Sequence, residues 1–417
     1  MPERVFANFC NGLETSGRRR VLREVGLTAS GKSDSAGASL PPGRVVVDGR
    51  ELVNVSSNDY LGLSRHPQLI ERSARWGERW GAGSGASRLV SGNLEPFARV
   101  ERKLARGKGT ESALVFASGY QTNVSILPAL LDSRVHGARP LVFADRLNHA
   151  SLHTGCNAAG LRQIRYRHND MGHLEALLKS KTSSADSAPA FIISETVFSM
   201  DGDRSDIPAL ADLARRFDAF LYLDEAHATG VLGKDGFGLA ADHPGAANLV
   251  MGTFGKALGG FGAYAACSDT LRDYLVNRCG GVVYSTALPP TVLGAMDAAL
   301  DLLPDLGEAR AGLLRKAEEL RAQWRGAGLD CGASTTQIVP LIVGDDEAAM
   351  ALSRSLEEEG FLAVAIRPPT VPEGMSRLRF ALSAAHEEED LARLAAVVIR
   401  LAERESSGAG GKKRVAS

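Results

Sequence analysis

Cysteine, charge imbalance and long apolar runs are what this 417-residue chain has least of. Its five cysteines, Cys10, Cys156, Cys267, Cys279 and Cys331, are odd in number and far apart. No two have the spacing of a zinc-ligand pair or a redox motif, which argues against a disulfide framework and for reduced thiols. Charge nearly cancels, with 48 Lys plus Arg against 49 Asp plus Glu and a formal net charge of −1. No global field is left to attract nucleic acid or an anionic membrane. No apolar run reaches the length of a membrane span. The start, MPERVFANFC, carries Glu3 and lacks the apolar stretch of a signal peptide. The expectation is a cytoplasmic protein with no nucleic-acid or membrane partner.

Glycine is plentiful instead, 45 residues gathered in short motifs. At about 150 residues per domain the length suggests two or three domains. Residues 1–55 read as an arm: a basic helical piece from Arg18 to Val25, a mobile stretch SGKSDSAGASLPPG, and a hairpin RVVVDGRELVNV turning at Asp48-Gly49. From about residue 95 the runs ALVFAS, PLVFAD, AFIISE, AFLYLDE, NLVMGT and GAYAACS alternate with helix-like stretches. Short apolar runs separated by helices predict an α/β fold with buried strands. Nearly all end in a polar residue or glycine, and open α/β sheets bind ligands beyond those ends. That large domain is expected over 56–292. A smaller α+β domain is expected over 293–405, with a long helical region, strands QIVPLIVG and LRFALS, and an amphipathic last helix. The tail, 406–417, is too polar and glycine-rich to pack.

The glycine-rich segments depart from the familiar phosphate-binding and nucleophile motifs. In GAGSGASRLVSG, Gly81, Gly83 and Ala86 fit a dinucleotide G-x-G-x-x-A pattern, but a polar helical piece precedes them where a strand is needed. GTFGKALGG is not a Walker loop, because only Thr253 and Phe254 separate Gly252 from Gly255-Lys256. Nor is it a Ser-x-x-Lys motif, because Thr253 replaces the serine. It leaves a lysine after a strand, among glycines that permit close approach of a ligand. A desolvated lysine amine there is a Schiff-base nucleophile. FLYLDEAHATG ends in Asp224 and His227. Asp224 suits a buried cation such as a protonated pyridine nitrogen, and equally suits a turn cap. His149 and His153 have i, i+4 spacing without the glutamate of a zinc motif, so no metal is expected. ASGYQTN opens a helix whose first amides suit a phosphate, or is an ordinary glycine turn.

Taken together, SSNDYLGLS (56–64), GSGASRLVSG (83–92), DRLNHASL (145–152), RYRHND (165–170), VFSMDGD (197–203), LDEAHATGVLG (223–233), TFGKALG (253–259), YSTALPP (284–290) and RPPTVPEG (367–374) resemble the α-oxoamine synthases. These are pyridoxal-phosphate (PLP) enzymes of fold type I, with a large, mainly parallel α/β domain and a smaller C-terminal one. The resemblance implies that Lys256 joins the cofactor and moves protons, with Asp224 on the pyridine nitrogen and His149 on the ring face. It implies Ser199 and His227 on the ring oxygen side, and Gly119, Tyr120 and Thr253 on the phosphate. Ser285 and Thr286 would reach the phosphate of a second subunit, implying a homodimer. Asn58 and Arg379 would hold the amino-acid carboxylate, with Thr370 and Arg23 near the acyl group. RPPTVP and STALPP point within the family to L-alanine and a pimeloyl thioester, carried by CoA or by an acyl-carrier protein. The alternatives are glycine or serine with another acyl-CoA, or a non-catalytic PLP-binding protein. Two features depart from the family: Phe97 stands where a histidine is usual, and YQTNVSILPAL lacks the usual alanine-rich run.

Overall fold

The hairpin expected at Asp48-Gly49 forms as β1 (Arg44–Val47) and β2 (Arg50–Asn54), with Val47 opposite Arg50. Asp48 and Gly49 take φ of 49° and 77°, the left-handed backbone that a two-residue hairpin turn requires. This computed structural model describes residues 2–15, 17–28, 39–182 and 188–408. Most of the expected mobile stretch (30–38 of 30–43) and of the expected tail (409–417 of 406–417) lies outside the described residues.

Seven strands build the central sheet: β3 (Ser112–Phe116), β4 (Leu141–Asp145), β5 (Gln163–Tyr166), β6 (Ala190–Glu195), β7 (Ala219–Asp224), β8 (Leu249–Thr253) and β9 (Ala263–Cys267). Their order is β3-β9-β8-β7-β6-β4-β5. Strands β4 to β8 pair in parallel, and β9 runs antiparallel to both β3 and β8. The six apolar runs read from the sequence are six of these strands. The seventh, β5, is short, lies at the edge and buries only Tyr166, so it carries no apolar run. In β6 and β8 every residue is buried, as expected of strands covered on both faces. The parallel arrangement brings Asp145, Glu195, Asp224 and Thr253 to one edge, with Glu195 directly opposite Asp224.

The C-terminal region begins with helices Pro290–Leu302 and Gly307–Gly326, joined by a single 3₁₀ turn. There β10 (Ile338–Gly344), β12 (Ala365–Ile366) and β13 (Ser376–Ala381) form a second sheet. The short strand β11 (Phe361–Leu362) leaves it to pair with β2, so the N-terminal hairpin is built into this end of the chain. Trp324 packs edge-on against Phe380 at 4.8 Å in this core. The last helix, Glu388–Gly408, includes 406–408, which the sequence reading placed in the tail.

The basic piece from Arg18 to Val25 is not helical. Its guanidinium groups are held by distant carboxylates, Arg18 by Asp346 and Glu373, and Arg23 by Asp48 and Glu357. Such partners fix an extended segment rather than stabilising a helix through i, i+4 pairs. The helix lies earlier, over Pro2–Thr15. Among the described residues no helix is long and apolar enough to cross a membrane.

Candidate active site

A cavity of about 160 Å³ lies beyond the carboxyl ends of the parallel strands. Gly119, Tyr120, His149, Asp224, His227, Thr253 and Lys256, all singled out from the sequence, line it. A larger cavity, about 550 Å³, opens at the opposite strand ends among Phe191, Phe220 and Tyr274, and none of the expected residues lines it.

Lys256 follows β8, and its Nζ lies 2.6 Å from Nε2 of His227. Among the described residues it forms no ion pair. Burial brings its amine down to about 8, against the opposing pull of Asp224 and Glu195. At about pH 7 roughly a tenth of such an amine is in its nucleophilic, unprotonated form, far more than for an ordinary lysine.

Asp224 satisfies both readings left open by the sequence. One oxygen caps the turn, accepting from the Ala226 amide at 2.9 Å, and the other accepts from Asn123 Nδ2 at 2.9 Å. Asn123 is itself oriented by the Tyr222 hydroxyl, which donates to its Oδ1 at 2.6 Å. Its amide also donates to Ser151 Oγ, which lies 2.7 Å from His149 Nδ1. Asn123, Ser151 and Tyr222 thus set the geometry of Asp224 and His149. The sequence reading assigned none of them a role, because the contacts join segments up to 101 residues apart.

Glu195 was also missed, although the strand run AFIISE ends on it. It is 2% exposed, and its Oε1 accepts from the His149 amide at 2.5 Å. Burial, reinforced by Asp224, pushes its carboxyl well above the usual range. A second carboxylate beside Asp224 makes a second negative charge there unfavourable, which is the direction of the Glu195 shift. Burial also lowers His149 and His227, keeping both imidazoles neutral.

A second cluster adjoins the cavity through His227. The Tyr60 hydroxyl is 2.7 Å from His227 Nδ1 and 3.1 Å from an Arg379 nitrogen. Arg379 places two donors on Asn58 Oδ1, each at 3.1 Å, and a third on the Ser199 carbonyl at 2.5 Å. The expected carboxylate pair, Asn58 and Arg379, therefore meets beside Ser199. Arg377, two residues earlier, is tied to Asp201 at 2.6 Å on the far side of that loop.

The helix Gly119–Leu130 starts at the cavity. Ser118 caps it by accepting from the Gln121 amide at 3.1 Å. The first amides of a helix have no intrahelical acceptor and suit an anion. The Thr253 hydroxyl donates to the Gly262 carbonyl at 2.9 Å and accepts from the Gly255 amide. Ser285 Oγ accepts from Gln121 in that first turn, and Thr286 bridges to Ser87. Arg23 and Thr370 do not line the cavity. Arg23 is held at the surface by Asp48 and Glu357, and the exposed Thr370 takes a bond from Arg20 at 3.4 Å. His153 is bonded to Gln163 at 2.6 Å and does not share a ligand site with His149. Among the described residues no group of three or more His, Cys, Asp or Glu is placed to hold a metal ion.

The donor set fits PLP: an amide-rich helix start for the phosphate, a buried carboxylate for the pyridine nitrogen, an imidazole for the ring and a depressed lysine amine for the aldehyde. Residues 50–398 match the family model described as aminotransferase class I and II. The chain is 57% identical to 8-amino-7-oxononanoate synthase of Gluconacetobacter diazotrophicus, over 84% of this chain and 89% of that one. It is 48% identical to 8-amino-7-oxononanoate synthase of Geobacter sulfurreducens, over 93% and 97%. Its fold matches a serine palmitoyltransferase solved with a PLP internal aldimine, at a TM-score of 0.85 and 24% identity, covering 96% of this chain and 97% of that one.

Proposed function

This chain belongs to the class I and II aminotransferase family and, within it, to the PLP-dependent α-oxoamine synthases, and on that premise we propose that it condenses L-alanine with a pimeloyl thioester. Carbon dioxide and the carrier thiol leave, and the product is 8-amino-7-oxononanoate, a biotin precursor. We place the work in the cytoplasm and in a homodimer, with CoA or an acyl-carrier protein as carrier. The observation that supports this reading best is that one cavity holds both the Lys256 amine, without an ion-pair partner among the described residues, and the Asp224 carboxylate, oriented by Asn123 and the Ala226 amide.

PLP, when bound, supplies an aldehyde for amines and a ring that takes up the electron pair freed at the alanine Cα. The protein's part follows from its own groups. Arg379, oriented by Asn58 and the Ser199 carbonyl, binds the alanine carboxylate through its planar fork. Lys256 would take the Cα proton at Nζ. Its depressed value suits it to accept a proton and later return it near neutral pH. Asp224 keeps the ring nitrogen protonated, with Asn123 holding its carboxylate in place. His149 covers the ring face, held by Ser151 at Nδ1 and by Glu195 at its amide. The amides of Gly119 and Tyr120 take the phosphate, with Thr253 beside them, and Ser285 and Thr286 serve the partner subunit's phosphate. Arg23 and Thr370 would approach the acyl chain only if the carrier-bound substrate reaches the surface where they lie.

The test is CO₂ release from a panel of amino acids crossed with acyl thioesters. L-Alanine with a pimeloyl thioester is expected to exceed every other pair. A preference for glycine or serine with another acyl group would reassign the chain within the family. No release from any pair by PLP-loaded protein would favour the non-catalytic alternative.

A further inference from the structure

We infer that Tyr60 is a positioning residue: it fixes which nitrogen of His227 carries the proton and thereby links the Arg379 fork to the Lys256 amine. The argument is one of counting donors. Arg379 can only donate, and one of its nitrogens lies 3.1 Å from the Tyr60 oxygen. The phenol oxygen is therefore an acceptor toward Arg379, and its own proton must go elsewhere. Two acceptors are in reach: Asn58 Oδ1 at 3.0 Å and His227 Nδ1 at 2.7 Å. Asn58 Oδ1 already takes two guanidinium hydrogens, which fill both its lone pairs. The proton goes to His227 Nδ1.

A neutral imidazole that accepts at Nδ1 carries its hydrogen on Nε2. Nε2 is the atom facing Lys256 Nζ at 2.6 Å. An N–H there needs a lone pair opposite, so this tautomer favours the unprotonated amine. The other tautomer would present a lone pair and favour the ammonium. Every group facing the imidazole agrees: Lys256, Arg379 and His149 all disfavour a second proton on it, as does its burial. The contacts thus form one chain, Arg379 to Tyr60 to His227 to Lys256, within a shell where Tyr60 is fully buried. A carboxylate drawing Arg379 away from Tyr60 would change the acceptor load on the phenol and be felt at the lysine.

The chain rests on the proposed function only in calling Arg379 a carboxylate fork. Its test can be run on the full-length, cofactor-free protein, so failure of the condensation assay would leave it standing. Histidine is labelled with ¹⁵N, and His227 is assigned by the signal lost in His227→Asn. The wild-type spectrum should show His227 protonated at Nε2. In Tyr60→Phe that preference should be lost. The midpoint of Lys256 acetylation against pH, read by mass spectrometry, should rise from about 8 by about one unit, tenfold less free amine at a given pH. A wild-type His227 protonated at Nδ1 would overturn the inference even if the variant failed to fold. So would a folded Tyr60→Phe with tautomer and midpoint unchanged, whatever its melting temperature.

Discussion

Two lysines lie beside adjacent carboxylates at the end of β7, Lys108 buried and Lys256 half-buried, and they have opposite fates. Lys108 meets Glu225 in a direct ion pair, both side chains almost wholly enclosed. Burial alone would lower its amine, but the attraction of Glu225 overrides this and leaves it raised. Glu225 spends its other oxygen on the Ala240 amide at 2.8 Å, so the pair is closed. Lys256 shares a cavity with Asp224 but does not bond it, because Asp224 is taken by Asn123 and the Ala226 amide. Its amine is accordingly lowered to about 8. Two residues one position apart thus separate structure from chemistry. What separates them is whether the partner carboxylate is left for the lysine or satisfied by other donors.

Exchanging the two lysines' fates gives the largest expected effects. Lys256→Ala should lower turnover by ~10²–10⁴-fold from lost proton transfer alone, with the fold intact. Its stability should also respond to pH in a defined way. The wild-type amine is lowered in the folded state from 10.5 to about 8, so the unfolded chain binds the extra proton between those values. Wild-type stability should therefore rise with pH across that window, and Lys256→Ala should lack this component. Urea midpoints of the cofactor-free proteins at about pH 7.5, 9 and 10.5 check it. Lys108→Met should do the converse. It strands Glu225 and should cost ~3–5 kcal/mol of stability, while turnover per folded molecule stays within a few-fold of the parent.

The carboxylates sharpen the same contrast. Asp224→Asn should lose ~1.5–3 kcal/mol of interaction with the cofactor ring and most of its turnover, read by cofactor retention and CO₂ release. Glu225→Gln should appear in the urea midpoint instead. The smallest effect is expected at the fork. Arg379→Lys should weaken L-alanine binding about tenfold in a spectral titration of the loaded enzyme, through the loss of paired hydrogen bonds, with little change in melting temperature. An unchanged alanine affinity would make Arg379 a structural tie between Asn58 and Ser199.

The sheet and the cavity floor were legible because their signals are local. A buried strand shows as an apolar run, and its ligand end shows as the polar residue that stops it, as at Asp224 and at Thr253 before Lys256. Lys108 gave no such signal. In LARGKGTES it looks like a surface lysine, and its partner lies 117 residues away. Tyr60 lies within SSNDYLGLS, but only the meeting of Asn58, His227 and Arg379 gives its hydroxyl a task. The departure from the helix expected over Arg18 to Val25 has the same origin: the carboxylates that hold the segment extended lie in remote parts of the chain. Edge strand β5 escaped because a strand with one buried residue has no pattern to read.

The central claim is that Lys256, and not its paired counterpart Lys108, carries the cofactor aldehyde. The purified protein, loaded with PLP, is reduced with borohydride, digested and mapped by mass spectrometry. The pyridoxyl group should be found on Lys256, with Lys108 unmodified. A label on Lys108 or on any other lysine, or no label on a protein that binds PLP, would contradict it.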